Sequence, residues 1–106
     1  MSLTTDLKEI CKSVMETLES IEDERDAEEF LEGVLDLKRV QTYAGNKWET
    51  DDYILTVCTG GPHVVVNGYH RRVEVYWGFK AEYMPFTPKA DKGYMRIRDY
   101  LLDMEY

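Results

Sequence analysis

The 106-residue sequence has few of the residues and patterns that mark several classes of protein. Its three prolines and seven glycines are too few for a collagen-like or low-complexity chain. No apolar run approaches the roughly 20 residues that a transmembrane helix requires. Residues 1–6 lack the basic and apolar regions of a signal peptide. We therefore expect a soluble, cytoplasmic protein with no membrane partner.

Cysteine and histidine are also scarce, with two of each. Cys11 and Cys58 lie far apart and outside any C-x-x-C pair, and a structural zinc site needs about four ligands at characteristic spacing. Asp51 and Asp52 form a small acidic group but lack the pattern of a calcium-binding loop. We predict two reduced, buried thiols, no metal and no cofactor.

Acidic charge is abundant and is concentrated in the first third of the chain. The net charge is −8, and residues 1–36 hold 12 of the 21 acidic residues but only three of the 13 basic ones. Such a surface repels phosphate and disfavours direct binding of nucleic acid. We interpret it first as a solvated helix face. The alternatives are a docking surface for a basic partner and a mimic of nucleic acid.

The hydrophobic share of 43% is enough to build a core, and the length suits a single domain over residues 1–106. Apolar residues spaced by three and four predict a helix over residues 5–22, with a buried face of Leu7, Ile10, Cys11, Val14, Leu18 and Ile21. A second helix over about 27–33, capped by Asp26, buries Phe30, Leu31 and Val34. A closing helix over 89–104 turns inward its residues Tyr94, Ile97, Leu101 and Met104.

Between the helices the apolar period changes from three or four residues to two, which is typical of strands. We predict strands over about 35–43, 53–58, 63–66, 72–77 and 80–84. In the fourth of these, Val73, Val75 and Trp77 share one face, and Glu74 and Tyr76 share the other. Residues 53–58 lack polar alternation, which favours a central strand buried on both faces. Residues 48–52 are expected to form a loop or a wide hairpin connection, and Asn67-Gly68 a type I′ turn. The prediction is an α+β two-layer sandwich, in which the N-terminal and C-terminal helices cover one face of an antiparallel meander.

The turn after residue 58 is the most distinctive local feature, because Gly60, Gly61, Pro62 and His63 follow a strand directly. Two glycines can bring backbone N–H groups close to an anion, but phosphate loops lead into a helix and here a strand follows. A tight turn or bulge is the simpler interpretation. Cys58 and His63 are a possible thiol–imidazole pair, although no third catalytic residue is identifiable, and we assign no catalytic residue.

Aromatic residues are concentrated in the strand region. With helices on one face only, the other face is left with Tyr76 and with some of Tyr53, Tyr83 and Trp48, and an exposed aromatic patch marks a partner site. A basic spot at residues 70–72 is interpreted as a solvated or charge-protected hairpin end. The candidate ligand or partner residues are Gly60, Gly61, Pro62, His63, Tyr76 and Trp77.

These features favour a small protein that acts by binding another protein, with a homodimer through the aromatic sheet face as the simplest version. One alternative is a small-ligand-binding domain or enzyme centred on the Gly-Gly-Pro-His turn. Another is the acidic mimic of nucleic acid.

Four segments resemble, in the same order, a family of small uncharacterised bacterial proteins. They are the L-E-G-V-L-D segment at residues 31–36, the G-G-P turn at 60–62, the V-E-V-Y-W-G segment at 73–78 and the Ala-Glu pair at 81–82. The chain departs from the family at Val75, where glycine is usual, and at the basic residues 70–72. Some members are associated with phages or other mobile elements. The resemblance implies one intact domain and a candidate site around Gly60, Gly61, Pro62, Tyr76 and Trp77, and it brings no activity.

Overall fold

Residues 3–106, described by a computed structural model, form three helices and one five-stranded sheet. The helices are α1 (Leu3–Glu19), α2 (Glu24–Glu32) and α3 (Pro88–Asp103). The strands are β1 (Asp36–Ala44), β2 (Lys47–Cys58), β3 (His63–Asn67), β4 (Arg72–Trp77) and β5 (Lys80–Pro85). Each strand is antiparallel to the next one in the chain, in the order β1-β2-β3-β4-β5. This confirms the predicted α+β meander.

Helix α1 packs on β4, β5 and α3 through the predicted apolar stripe. Leu7, Cys11, Leu18 and Ile21 are buried, as is Met15, which the sequence analysis did not include. The helix ends at Glu19, three residues earlier than predicted, and Ile21 follows in the connection to α2. None of the helices in residues 3–106 is long and apolar enough to cross a membrane.

Helix α2 begins three residues earlier than predicted, and Asp23 rather than Asp26 caps it. The Asp23 side chain accepts a hydrogen bond from the Asp26 N–H at 2.9 Å, and the Asp26 side chain accepts one from the Glu22 N–H at 3.0 Å. Two free N–H groups at the helix start are satisfied by this exchange. The helix packs on α3 and not directly on the sheet, and Ala27 is its buried residue.

Helix α3 is held close to α1 by a glycine. A Cβ placed on Gly93 would lie 1.9 Å from the backbone oxygen of Leu18, so only glycine allows the two backbones to approach this closely. Tyr94, Ile97 and Leu101 are buried as predicted. Met104, predicted to face inward, lies after the helix and is 54% exposed.

The β1–β2 hairpin is longer than predicted, because residues 48–52 belong to β2 and not to a loop. Its two-residue turn consists of Gly45 and Asn46, both with positive φ, as a type I′ turn requires. The outer part of the hairpin, residues 41–50, lies beyond the stretch of β2 that pairs with β3 and forms a projecting two-stranded ribbon, here called the β1–β2 arm. Its residues are almost all exposed, so they lack the apolar alternation by which a strand is recognised.

The β3–β4 hairpin forms where predicted but with a different turn. Asn67 pairs with Arg72, which leaves four residues between the strands instead of two. The Asn67 side chain closes the turn by accepting a hydrogen bond from the His70 N–H at 2.9 Å. Gly68 is needed for space, since a Cβ there would lie 2.0 Å from the Tyr94 hydroxyl oxygen.

The helices cover one face of the sheet, where the core contains Tyr53, Leu55, Val64, Val66, Val73 and Val75. Tyr53 is therefore a core residue and not part of the helix-free face, contrary to one of the sequence-based candidates. Residues 53–58 were expected to be buried on both faces, but three of them are only half-buried. Ile54 lies on the side that the helices of residues 3–106 leave uncovered, and Val57 and Cys58 lie at the end of β2.

Candidate functional site

The face of the sheet opposite the helices is the candidate site. Residues that are directly paired across neighbouring strands share a face, so the register identifies this face on β2 to β5. We call it the open face, and it consists of Ile54, Thr56, His63, Val65, Asn67, Arg72, Glu74, Tyr76, Ala81, Tyr83 and Pro85. Arg72 and Glu74 are its charged residues, and they pair with each other.

Glu74 lies at the centre of the open face and is only 5% exposed. Its carboxylate accepts hydrogen bonds from Arg72 Nε at 2.6 Å, from the Tyr76 hydroxyl at 2.8 Å and from Asn67 Nδ2 at 3.2 Å. Burial by itself raises the pKa of a carboxyl group, but these donors and the charge of Arg72 outweigh it and hold the pKa of Glu74 below its ordinary value. The carboxylate is thus ionised, buried and fully paired.

Aromatic rings surround this buried ion pair. The Arg72 guanidinium lies over the Tyr83 ring, 4.2 Å from its centroid. The rings of Tyr76 and Tyr83 meet edge to face with their centroids 5.9 Å apart, and the ring centroid of His63 lies 6.2 Å from that of Tyr76. Burial and the hydrogen bond to Glu74 raise the pKa of Tyr76, which therefore stays a hydrogen-bond donor. Within residues 3–106 the two Nη groups of Arg72 donate no hydrogen bond, so they remain free to meet a partner.

The predicted site residues form two contacts and not one cluster. His63 and Tyr76 are directly paired and join the open face. Gly61 lies instead beside the Trp77 ring, where a Cβ would be 3.5 Å from the ring carbon Cζ3. Trp77 follows Tyr76 in the strand and therefore projects from the opposite face, and its side chain is 41% exposed at the end of β4. Gly60 has a φ of +87°, which explains the glycine as a turn residue.

Pro62 is half-buried within the same turn, between Gly61 and the first residue of β3. The turn leads directly into His63, the first residue of β3, which lies on the open face.

The thiol of Cys58 and the imidazole of His63 are not brought together. The register shifts between Thr56 and Cys58, so that Cys58 pairs with Val64, on the helix-covered face, and packs against the core there. His63 projects from the open face. Cys58 is half-buried and not buried as predicted, whereas Cys11 is buried. Burial, reinforced by Glu82, raises the pKa of Cys11 to about 11, which keeps this thiol protonated.

A second polar cluster unites two groups that looked unrelated in the sequence, the acidic pair at residues 51–52 and the basic spot at 70–72. Arg71, which has a φ of +56°, bridges Asp52 at 3.3 Å and Asp91 at 3.2 Å. The Tyr94 hydroxyl accepts a hydrogen bond from the Tyr53 N–H and donates one to Asp52, both at 3.0 Å. This cluster joins β2, the β3–β4 turn and α3, and we assign it a structural role.

Sequence reasoning placed Glu74 and Tyr76 on one face by their alternation but did not find the network around them. Asn67 was interpreted as a turn residue, and Arg72 as part of a solvated basic spot. The contribution of Asn67 depends on the pairing of β3 with β4, which no local pattern encodes. Arg72 lies two residues before Glu74 on the same strand, so the alternation along β4 already places the two on one face.

Residues 3–106 contain no group of three or more His, Cys, Asp and Glu residues placed to hold a metal ion. Comparisons of the chain with protein-family models, with curated proteins and with solved structures find no match. The resemblance to the bacterial family stays a prediction.

Proposed function

We propose that the protein acts by protein–protein binding through the open face, and that the partner bound there is a second copy of the same chain. The composition of the face supports this proposal. Tyr76, Tyr83 and Arg72 are of the residue types that are enriched at interface hot spots. They are also preorganised, because Glu74 and the ring contacts already fix the Arg72 and Tyr76 side chains, so little side-chain entropy is lost on binding.

The distribution of charge favours a second copy as the occupant. The open face has no net charge, since Arg72 and Glu74 neutralise each other and β1 continues the face with one acidic and one basic residue, Asp36 and Lys38. Of the 12 acidic residues in positions 1–36, 11 lie between residues 6 and 32, in α1, α2 and their connection on the helical side of the molecule. Two copies that meet through their open faces therefore keep their acidic helices on opposite outer sides of the dimer. A basic partner would be attracted to the helices instead.

The area of the sheet indicates that the β1–β2 arm takes part. The 30 strand residues outside the arm present roughly 480 Å² of projected area, at about 3.3 Å per residue and 4.8 Å between strands. A standard interface buries about 800 Å² per partner. The exposed aromatic pair of the arm, Tyr43 and Trp48, is in phase with Leu37 and therefore lies on the helix side, so Trp48 is not part of the open face. The arm would meet the partner through its other side, which carries Thr42 and Glu49. An isolated two-stranded ribbon is marginally stable in water, and packing against a partner would stabilise it.

Sedimentation equilibrium at micromolar concentration tests the proposal. The chain mass is 12.5 kDa, and we expect twice that mass. Tyr83→Glu removes the ring under Arg72 and adds a charge to the face, so we expect the dissociation constant to rise by about 30-fold or more, which is equivalent to about 2 kcal/mol. Tyr69→Glu makes the same change at an exposed tyrosine of the β3–β4 turn and serves as the control. A monomeric wild type, or equal weakening by both variants, would reject the proposal.

A further inference from the structure

A second exposed apolar surface lies on the acidic part of the molecule. It is a groove of about 450 Å³ between α2, the start of β1 and the end of α3, and we call it the α2–α3 groove. Leu31, Leu35, Leu37, Tyr100 and Met104 contribute most of its apolar lining. Its volume lies within the roughly 300–1,000 Å³ of typical ligand sites.

Two large apolar side chains of the groove are exposed although their backbones are fixed. Leu35 is 62% exposed, and its N–H donates to the Thr56 carbonyl at 2.8 Å. Met104 is 54% exposed, and its N–H donates to the Tyr100 carbonyl at 3.2 Å. The groove therefore presents apolar surface on an ordered frame, and it does not need to fold before it binds.

Carboxylates surround this apolar surface. Glu28, Glu32 and Asp36 line the groove itself. The adjoining cleft between α2 and α3, which shares Tyr100 with the groove, adds four more acidic residues. One basic residue, Arg96, lines these two cavities, and its guanidinium donates to the Ile21 carbonyl at 2.9 Å. A further cavity adjoins the groove at Leu37 and Met104 and is lined by one basic and one acidic residue, Arg39 and Glu105. Much of the acidic excess of the protein is thus placed around an apolar groove, where it repels anionic partners and attracts cationic ones.

We propose that the α2–α3 groove binds a cationic amphipathic helix of a partner protein. Apolar side chains at positions i, i+3 or i+4, and i+7 of that helix would enter the groove beside Leu35 and Met104. Lysine or arginine side chains along its flanks would meet Glu28 and Glu32. This proposal does not rest on the open-face dimer, because the two surfaces are separate.

A synthetic peptide of about 14 residues, long enough for three to four helical turns, serves as the probe. It carries leucines at helical spacing and lysines elsewhere, and fluorescence anisotropy measures its binding. We expect binding that weakens as salt concentration rises. A peptide of the same composition with scrambled leucines is expected to bind at least about tenfold more weakly, since its apolar side chains do not share a face. Equal binding of the scrambled peptide would overturn the proposal, because net charge alone would explain it.

Matched variants locate the site. Leu35→Gln removes an exposed apolar side chain from the groove and is expected to weaken the peptide about tenfold, whereas Phe79→Gln makes the same kind of change at a fully exposed residue outside it. Glu32→Gln is expected to reduce both the affinity and its salt dependence more than Glu9→Gln, which removes an equal charge from the exposed surface of α1. Equal effects within either pair would refute the assignment.

The dimer and the groove are distinguished by one further measurement. The variant Tyr83→Glu, which is expected to disrupt the open-face dimer, should bind the Leu/Lys peptide as the wild type does. Loss of peptide binding in this variant would overturn the proposal, since the groove would then depend on the other surface.

Discussion

Removal of the Glu74 carboxylate tests the network of the open face most directly. In Glu74→Ala, Arg72 Nε, the Tyr76 hydroxyl and Asn67 Nδ2 all lose their acceptor. Arg72 and Tyr76 are partly exposed, so their donors can form hydrogen bonds with water instead. Asn67 is buried, so its side-chain N–H would remain without an acceptor, which costs the full desolvation free energy of that donor. We expect a loss of about 3 kcal/mol in the free energy of unfolding, at the lower end of the range for breaking a buried ion pair.

Glu74→Gln tests the negative charge by itself, because glutamine has nearly the same size and shape as glutamate. The amide oxygen can still accept from Arg72 and Asn67, and the amide nitrogen can donate to the Tyr76 hydroxyl, which rotates to become the acceptor. The hydrogen bonds are thus retained and the negative charge opposite Arg72 is lost. We expect a cost of about 1–1.5 kcal/mol, the difference between a charged and a neutral hydrogen bond.

The effect of Glu74→Gln depends on pH in a defined direction. The pKa of Glu74 is lowered in the folded protein, so its stabilising contribution is complete above its ordinary pKa near 4.5 and is lost as the pH falls through the folded value. The difference in unfolding free energy between wild type and Glu74→Gln should therefore be largest near neutral pH, and should shrink below pH 4.5.

Urea unfolding at a single protein concentration, repeated from neutral to acidic pH, measures both quantities. Glu49→Gln is the control, because Glu49 is exposed and meets Lys47 at 3.3 Å on the surface. Such exposed pairs contribute less than about 1 kcal/mol. The reasoning is refuted if Glu74→Gln matches this control at neutral pH, or if its cost stays constant across the acid range.

Three further predictions concern the core. Gly93→Ala should cost about 2–3 kcal/mol by thermal denaturation despite the better helix propensity of alanine, whereas Gly33→Ala, whose Cβ has ordinary contacts, should be near neutral; equal effects would contradict the close approach of the helices. Tyr94→Phe leaves a buried N–H without its acceptor and should cost about 2 kcal/mol in urea unfolding. Because burial raises the pKa of Tyr94, the variant should also lose less stability above about pH 10 than wild type, and an unchanged alkaline slope would count against this. A thiol reagent should modify Cys58 in the native protein and Cys11 only after unfolding, and similar rates would contradict their assigned burial.

Local sequence pattern determined the element types and their order. The three-and-four spacing of Leu7, Cys11 and Leu18 predicted both the first helix and its buried face, and the alternation in β4 separated Val73 from Glu74. The observed start of α2 differs from the predicted one because several acidic side chains there can accept hydrogen bonds from the free N–H groups of the helix, and Asp23 is the one that caps it. The extension of β2 through residues 47–52 was missed because an exposed ribbon needs no apolar alternation.

The tertiary structure alone decided which side chains meet. The contacts of Glu74 with Arg72 and Tyr76 follow from the alternation along β4, but the register of β3 with β4 adds Asn67 as a further donor, and β5 adds Tyr83 beneath Arg72. A shift in the pairing of β2 with β3 turns Cys58 away from His63, although the two are five positions apart in the chain. The spacing of apolar residues predicts which side chains of a helix or strand are buried, because that depends on the residues of the same segment. Contacts across strands depend on register, which is fixed by the packing of the whole sheet against its helices.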